Sequence, residues 1–212
     1  IKKIAQLTGH NGAVYALSPD ETENSMLSGA GDGWIVRWNL DEPENGRLIA
    51  KIETNVFALY PLLEQRRVVA GNMNGGVHWI HLDEPERTQN IAHHRQGVYG
   101  IERIGEHIFT LGGSGMLTRW SIEETRTLES FQLTNESLRG MDFSAKRHEI
   151  AIGASDNHIY LLDAETLALK AKIAAHENSV FTVKYSPDET HLLSGSRDAH
   201  LKVWDLDKQQ AI

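Results

Sequence analysis

The sequence repeats itself at an almost constant interval along its length. The clearest copy spans Leu192 to Asp205, LLSGSRDAHLKVWD, and contains small residues, a tight turn and a final Trp204-Asp205. The residues at the position of Trp204 in the four upstream copies are Trp38, Ile80, Trp120 and Leu162. The steps between these positions are 42, 40, 42 and 42 residues, which predicts a chain built from five similar units.

A second marker keeps the same period. It is an aliphatic residue near the start of each copy, and the five markers are Val14, Val56, Val98, Leu138 and Val180. Because two independent markers stay in phase, we interpret residues 1–212 as a single domain of five repeats. The repeats are expected to end near residues 38, 80, 120, 162 and 204.

The polar residues of these repeats resemble those of the WD40-repeat β-propeller family. That family marks each blade with Gly-His before the first strand and Trp-Asp at the end of the third, and it links His, Ser or Thr, Asp and Trp by hydrogen bonds. The first repeat matches at Gly9-His10, Ser28, Asp32 and Trp38, and the fifth at His176, Ser194, Asp198 and Trp204. The third keeps His94, Thr110 and Trp120 but has Ser114 for Asp, while the fourth keeps Asp156 and Asp163 but has Thr134 for His and Leu162 for Trp. The second keeps almost none of the set, with Asn74 for Asp and Ile80 for Trp.

The resemblance implies an all-β fold, a β-propeller of five WD40-type four-stranded blades. The chain ends in QQAI, where the outer strand of the fifth blade should begin, and it starts with IKKIAQL. One reading is therefore a ring closed by the N-terminal strand, which would leave no open sheet edge and give a monomer. The alternative is a fragment of a seven-bladed WD40 propeller, for which we expect self-association. Both readings stay open at this point.

Composition argues against several classes of protein. The chain has no cysteine, so it can hold neither disulfides nor thiolate metal sites. It has no run of 18 apolar residues and no secretory signal at Ile1, so we expect a cytoplasmic protein with no membrane partner. The net charge of −8 and the absence of a basic stripe argue against a nucleic-acid partner.

Three polar groups invite a catalytic or ligand-binding interpretation. His10, Ser28 and Asp32 match the residue types of a hydrolase triad, but the same set recurs in the fifth repeat with a Trp that would complete a buried hydrogen-bonded group. The glycine-rich run at 29–33 precedes a strand, whereas a phosphate loop precedes a helix. In the pair His93-His94, His94 holds the repeat position of His10. We therefore predict no enzyme activity, no cofactor and no metal site.

The residue after each aliphatic marker is the candidate binding position. These residues are four aromatics and one arginine: Tyr15, Phe57, Tyr99, Arg139 and Phe181. The WD40 resemblance places this position near the mouth of the central channel on the top face, where peptide partners dock, and Arg197 lies in a turn near the same rim. Aromatic residues and arginine are enriched in binding hot spots. We predict a non-catalytic scaffold that binds a peptide or protein partner. The alternatives are a structural repeat unit or propeller fragment with no ligand of its own and, less favoured, an enzyme that uses the channel.

Overall fold

The computed structural model describes residues 2–20, 22, 24–208 and 210–212, and within them the chain forms strands β1 to β20. Sheet 1 contains β1 (Val14–Pro19), β2 (Ser25–Ala30), β3 (Trp34–Asn39) and β4 (Arg47–Lys51). Sheet 2 contains β5 (Val56–Leu62), β6 (Arg67–Asn72), β7 (Gly76–His81) and β8 (Gln89–Ala92). Sheet 3 contains β9 (Val98–Ile104), β10 (His107–Gly112), β11 (Met116–Ser121) and β12 (Arg126–Gln132). Sheet 4 contains β13 (Leu138–Ser144), β14 (Glu149–Ala154), β15 (His158–Asp163) and β16 (Leu169–Ala174). Sheet 5 contains β17 (Val180–Tyr185), β18 (His191–Ser196), β19 (Leu201–Asp205) and β20 (Gln210–Ala211), and two 3-10 helices span Leu63–Gln65 and Pro85–Arg87.

In every sheet the four strands are neighbours in chain order, as in a propeller blade. Each first strand begins at the aliphatic marker, and each third strand ends one residue after the Trp position. Strand burial follows position in the sheet. The second strand β14 is buried along its whole length, whereas the outer strand β12 alternates between exposed and half-buried residues. The alternation in β12 is typical of a strand with one solvated face.

The expected closing strand at the N-terminus is not confirmed. Residues 2–10 form no strand, and the fourth strand of sheet 5 is β20, which pairs with β19 through Trp204–Ala211 and Asp205–Gln210. Ile1 and Gln209, which belong to the two segments of that prediction, lie outside the described residues. The outer position of sheet 5 is therefore filled by residues that follow β19 directly.

The chain divides into two compact units, which we call the first unit, Ile1–Ile101, and the second unit, Glu102–Ile212. The core of the first unit is centred on Leu27, Ile35 and Val56. In the described part of the second unit, one core cluster lies around Phe109 and Ile150 and another contains Val180, Leu192 and Trp204. The single-domain interpretation of the sequence stays a prediction.

Candidate functional site

Four side chains of the first repeat form a continuous hydrogen-bonded chain. Trp38 Nε1 donates to Ser28 Oγ over 2.7 Å, and Ser28 Oγ lies 2.6 Å from His10 Nε2. His10 Nδ1 lies 3.1 Å from Asp32 Oδ2. Since the indole can only donate and the carboxylate can only accept, Trp38 donates at one end of this chain and Asp32 accepts at the other. His10 Nδ1 therefore carries the proton that the Asp32 carboxylate accepts.

The fifth repeat contains the same group of four. Trp204 Nε1 donates to Ser194 Oγ over 2.8 Å, Ser194 Oγ lies 2.7 Å from His176 Nε2, and His176 Nδ1 lies 2.9 Å from Asp198 Oδ2. The group links the loop before the first strand to the second and third strands of one sheet. It satisfies polar atoms that burial would otherwise make costly.

The serines in these groups are poorly placed to act as nucleophiles. Ser28 is 2% exposed and Ser194 is 1% exposed. Each hydroxyl also accepts a hydrogen bond from a buried indole. A pair of a nucleophile and its base does not need such a donor, whereas a buried structural group does. Ser, His and Asp are the residue types of a hydrolase triad, but here the indole of a tryptophan completes the hydrogen-bonded group.

The carboxylates of these two groups stay ionised because of local hydrogen bonds. Burial opposes ionisation of Asp32, but the backbone amides of Trp34 and Asn11 and the ring of His10 outweigh it and lower the pKa of Asp32. Burial likewise opposes ionisation of Asp198, and the amides of His200 and Glu177 outweigh it, so its pKa is held well below the ordinary range. Each aspartate therefore connects a turn, through hydrogen bonds, to the loop before the first strand of its own sheet.

The third repeat retains part of the group. Trp120 Nε1 donates to Thr110 Oγ1 over 2.9 Å, and the ring of His94 packs edge-on against His93 with centroids 4.9 Å apart. Burial, with a smaller contribution from His93, lowers the pKa of His94 to about 4. At the Asp position, the Ser114 carbonyl accepts a hydrogen bond from Gln132 Nε2 over 2.6 Å.

The second and fourth repeats use residues that the sequence pattern did not reveal. In the fourth, Tyr160 donates to Asp156 Oδ2 over 2.5 Å, and Thr134 donates to the same oxygen over 3.3 Å. In the second, Asn72 rather than Asn74 organises the turn: its Oδ1 accepts from the Gly76 amide over 2.8 Å, and its Nδ2 lies 2.9 Å from His78 Nε2. These substitutes lie two residues away from the expected positions.

The candidate binding residues lie at irregularities of the first strands. In sheet 1 the register places Val14 opposite Ala30 and Ala16 opposite Gly29, so Tyr15 is the extra residue of a β-bulge. The same shift occurs at the other three candidates whose strand register is described, which are Phe57, Arg139 and Phe181. Because a bulge re-aims the side chain locally, the direction of these side chains does not follow from simple alternation along the strand.

Three candidates of the first unit form a continuous aromatic strip, which we define as Tyr15, Phe57 and Tyr99. The rings of Tyr15 and Phe57 are 4.9 Å apart and nearly perpendicular, and those of Phe57 and Tyr99 are stacked at 5.3 Å. Tyr15 is 50% exposed, while Phe57 and Tyr99 are half-buried. Contact between rings at these distances favours a fixed arrangement.

The other three candidates lie in the second unit. The guanidinium of Arg139 lies 5.8 Å from the ring centroid of Phe181, and Arg139 Nε donates to Ser155 Oγ over 2.9 Å. Phe181 is about half exposed. Arg197 is exposed in the turn between β18 and β19, where its backbone amide donates to the Ser179 carbonyl. These contacts hold the Arg139 side chain over an exposed ring.

Among residues 2–20, 22, 24–208 and 210–212, no group of three or more His, Asp or Glu side chains is arranged to hold a metal ion. No helix in the described part of the chain has the length and apolar character needed to span a bilayer.

Comparison with known proteins agrees with this architecture. A solved structure, the WD40 β-propeller domain of Doa1, superposes with a TM-score of 0.84 at 16% identity, and the match covers 98% of this chain and 70% of that one. That likeness shows the fold. The family profile described as WD domain, G-beta repeat matches residues 1–39 and 168–205, which contain the two complete groups of four.

Curated proteins include several that are similar to this chain in sequence. Transducin beta-like protein 3 from Bos taurus is 25% identical over 96% of this chain and 22% of its own length. WD repeat-containing protein 1 from Mus musculus is 30% identical over 33% of this chain and 12% of its own length. The chain thus spans about a fifth or less of these relatives. The fold and its repeats define a β-propeller protein. The matched repeats and the superposed propeller support a WD40-repeat β-propeller family for this chain, and members of that family are generally non-catalytic and bind protein partners.

Proposed function

We propose that this chain is a non-catalytic scaffold that binds a peptide segment of a protein partner through the aromatic strip. The observation that carries the proposal is the continuous contact of Tyr15, Phe57 and Tyr99, with Tyr15 half exposed. Rings held by one another lose little conformational freedom on binding, so an apolar side chain of the partner can pack against them at low entropic cost. The bulge at Tyr15 and Phe57 supports a binding role, because bulges re-aim side chains near functional sites.

The Arg139 and Phe181 pair offers a second kind of contact. A carboxylate of a partner would accept hydrogen bonds from the Arg139 guanidinium, since arginine presents a planar fork of donors. The hydrogen bond to Ser155 and the position over Phe181 restrain the side chain before a partner arrives. We assign this pair to recognition of an acidic residue in the partner.

The experiment uses a random peptide library displayed on phage, selected against the purified chain. Affinities of the selected peptides are then measured by calorimetry for the wild type, for Tyr15→Ala with Tyr99→Ala, and for Tyr15→Phe. The double variant should lose about tenfold or more in affinity, because hot-spot aromatics commonly contribute more than ~1.4 kcal/mol each. Tyr15→Phe keeps the ring and should bind nearly as well as the wild type.

Leu128→Ala is the matched control, because Leu128 is an exposed apolar residue on β12, outside the strip. It should leave affinity unchanged. Equal affinity of the wild type and the double variant, with an unaltered circular dichroism spectrum, would show that the strip is not the binding site. For the second contact, Arg139→Gln should weaken only those peptides that contain Asp or Glu.

A further inference from the structure

The residue directly after the second strand lies beside the candidate binding residue of the same sheet. In sheet 1 this residue is Gly31, and a methyl group placed on it would lie 3.4 Å from Tyr15 Cε2. In sheet 4 it is Ser155, whose hydroxyl accepts a hydrogen bond from Arg139 Nε over 2.9 Å. The same relation therefore occurs in both compact units, once with an aromatic ring and once with a guanidinium.

Met73 holds this position in sheet 2. It follows β6 directly, as Gly31 follows β2. The Met73 amide donates to the Asn55 carbonyl over 2.9 Å, and the Gly31 amide donates to the Ala13 carbonyl over 2.9 Å. Because the backbone is held in the same way at both positions, the equivalence assigns the Met73 side chain to a place beside the ring of Phe57.

This place adjoins the middle of the aromatic strip, because the Phe57 ring contacts both Tyr15 and Tyr99. A methyl group on Gly97 would lie 3.2 Å from the Met73 carbonyl oxygen and 3.2 Å from Tyr99 Cζ, so the Met73 backbone and the Tyr99 ring border the same glycine. Met73 is 51% exposed. Thioethers make favourable contacts with aromatic rings, and methionine is common at adaptable binding surfaces. Met73 thus extends the strip by a flexible apolar group.

The thioethers of this chain are the sulfur groups that a peroxide can oxidise, because the sequence contains no cysteine. A peroxide reaches a sulfur from solvent, so exposure decides which methionine reacts first. Met73 is about half exposed, whereas the other three methionines, which also belong to the described residues, are half-buried: Met26, Met116 and Met141. Met141 also packs against a core cluster of the second unit. The structure therefore favours oxidation at Met73.

We propose that Met73 is a reversible oxidation site that regulates peptide binding at the aromatic strip, an inference that rests on the proposed function. The Met73 sulfur attacks one oxygen of hydrogen peroxide, and the O–O bond breaks as the S–O bond forms. The hydroxide that leaves takes the proton from the transferred oxygen and becomes water. The sulfur loses two electrons and the peroxide gains them. Because the resulting sulfoxide is polar, an apolar side chain of the partner loses a favourable contact beside the strip.

The first experiment treats the purified, folded chain with hydrogen peroxide and follows each methionine by peptide mass spectrometry. Met73 should gain one oxygen before Met141, which is the half-buried control in the same chain. In urea, where both side chains are exposed, the two should react at similar rates. Oxidation of Met73 in the folded chain at the rate of Met141, or more slowly, would overturn the proposal.

The second experiment measures the affinity for the selected peptides by calorimetry, before peroxide treatment and after the peroxide has been removed. The wild type should weaken about fivefold or more. Met73→Leu keeps an apolar side chain and has no sulfur at this position, so its affinity should be the same before and after treatment. The two methionine sulfoxide reductases together should restore the affinity of the wild type. An equal loss in Met73→Leu would overturn the proposal.

The double variant Tyr15→Ala with Tyr99→Ala distinguishes a failure of this proposal from a failure of the proposed function. If the untreated double variant binds the selected peptides as tightly as the wild type, the strip is not the binding site and both proposals fail. If the double variant loses affinity while the wild type with oxidised Met73 retains it, the strip is the binding site and only the role of Met73 is overturned.

Discussion

At the scale of single residues, the buried histidine of the third repeat makes stability depend on pH. The pKa of His94 is about 4, whereas an ordinary histidine titrates near 6.5, so between these values the unfolded chain binds more protons than the folded one. Stability is therefore fully present above pH 6.5 and is lost as the pH falls toward 4. Between pH 7 and pH 5 we expect His94 to remove about 2 kcal/mol, from ~1.4 kcal/mol per pKa unit.

The measurement is urea unfolding at both pH values for the wild type and for His94→Asn, which cannot titrate. The wild type should lose about 2 kcal/mol more than the variant on acidification, whatever the stability of the variant at pH 7. Equal losses in the two proteins would show that His94 titrates normally in the folded state. An NMR titration of the His94 ring gives an independent value.

The hydroxyl at the centre of the fifth-repeat group provides a second prediction at this scale. Ser194→Ala leaves the buried indole of Trp204 without its acceptor and His176 Nε2 without its donor, so we expect a loss of about 1–3 kcal/mol in unfolding free energy. Ser196→Ala is the matched control on the same strand, because its hydroxyl, which donates to the Asn178 carbonyl and accepts from the Asp198 amide, is only half-buried, so water can replace both hydrogen bonds. Equal costs for the two variants, measured by urea unfolding, would contradict a special role for the buried group.

At the scale of strands and sheets, the glycines of the second strands set how closely the sheets approach. Gly29→Ala places a methyl group 2.6 Å from Val56 Cγ1 and should destabilise the first unit by about 1–3 kcal/mol through overpacking. Gly31→Ala is the control, since its nearest neighbours lie at 3.4 Å, an ordinary contact distance. Thermal unfolding gives the comparison.

The double variant Gly29→Ala with Val56→Ala separates overpacking from a change in backbone preference. If the methyl group clashes with Val56, the combined loss should be smaller than the sum of the two single losses by ~0.5 kcal/mol or more. Additive losses would show that Gly29→Ala acts through a change in backbone preference rather than through the contact between the sheets.

The sequence allowed prediction of the elements whose signals are local and repeated. Each first strand starts at its marker because a β-branched or aliphatic residue recurs there, and Trp38 and Trp204 predicted the two complete hydrogen-bonded groups through fixed spacing. Tyr160 and Asn72 were missed because each takes over a role from a position two residues away. A fixed spacing cannot show such a shift.

Non-local features were harder to predict. Alternation in IKKIAQL is compatible with a strand, but strand pairing also depends on a partner edge, which these residues do not specify. Residues 2–10 form no strand. The bulges at Tyr15 and Phe57 were also missed, since a bulge inserts one residue on one strand without changing the apolar pattern. The ring contacts of the aromatic strip depend on the separation of whole sheets, which a repeat period does not give.

At the scale of the whole molecule, net charge opposes self-association, which we expect if the chain is a fragment of a larger propeller. Each copy carries −8, so two copies repel each other. Salt screens the repulsion between exposed charges and leaves apolar contacts largely intact. Raising NaCl from ~0.05 M to ~0.5 M shortens the screening length several-fold and should strengthen assembly of the wild type.

Sedimentation velocity at the two salt concentrations measures this effect on the wild-type assembly. Its dissociation constant should fall as salt rises, because repulsion between two chains of the same sign is the main electrostatic contribution. An interface held by ion pairs would respond in the opposite direction, since salt weakens attraction between exposed charges. A dissociation constant that rises with salt would therefore place the contact on charged surfaces.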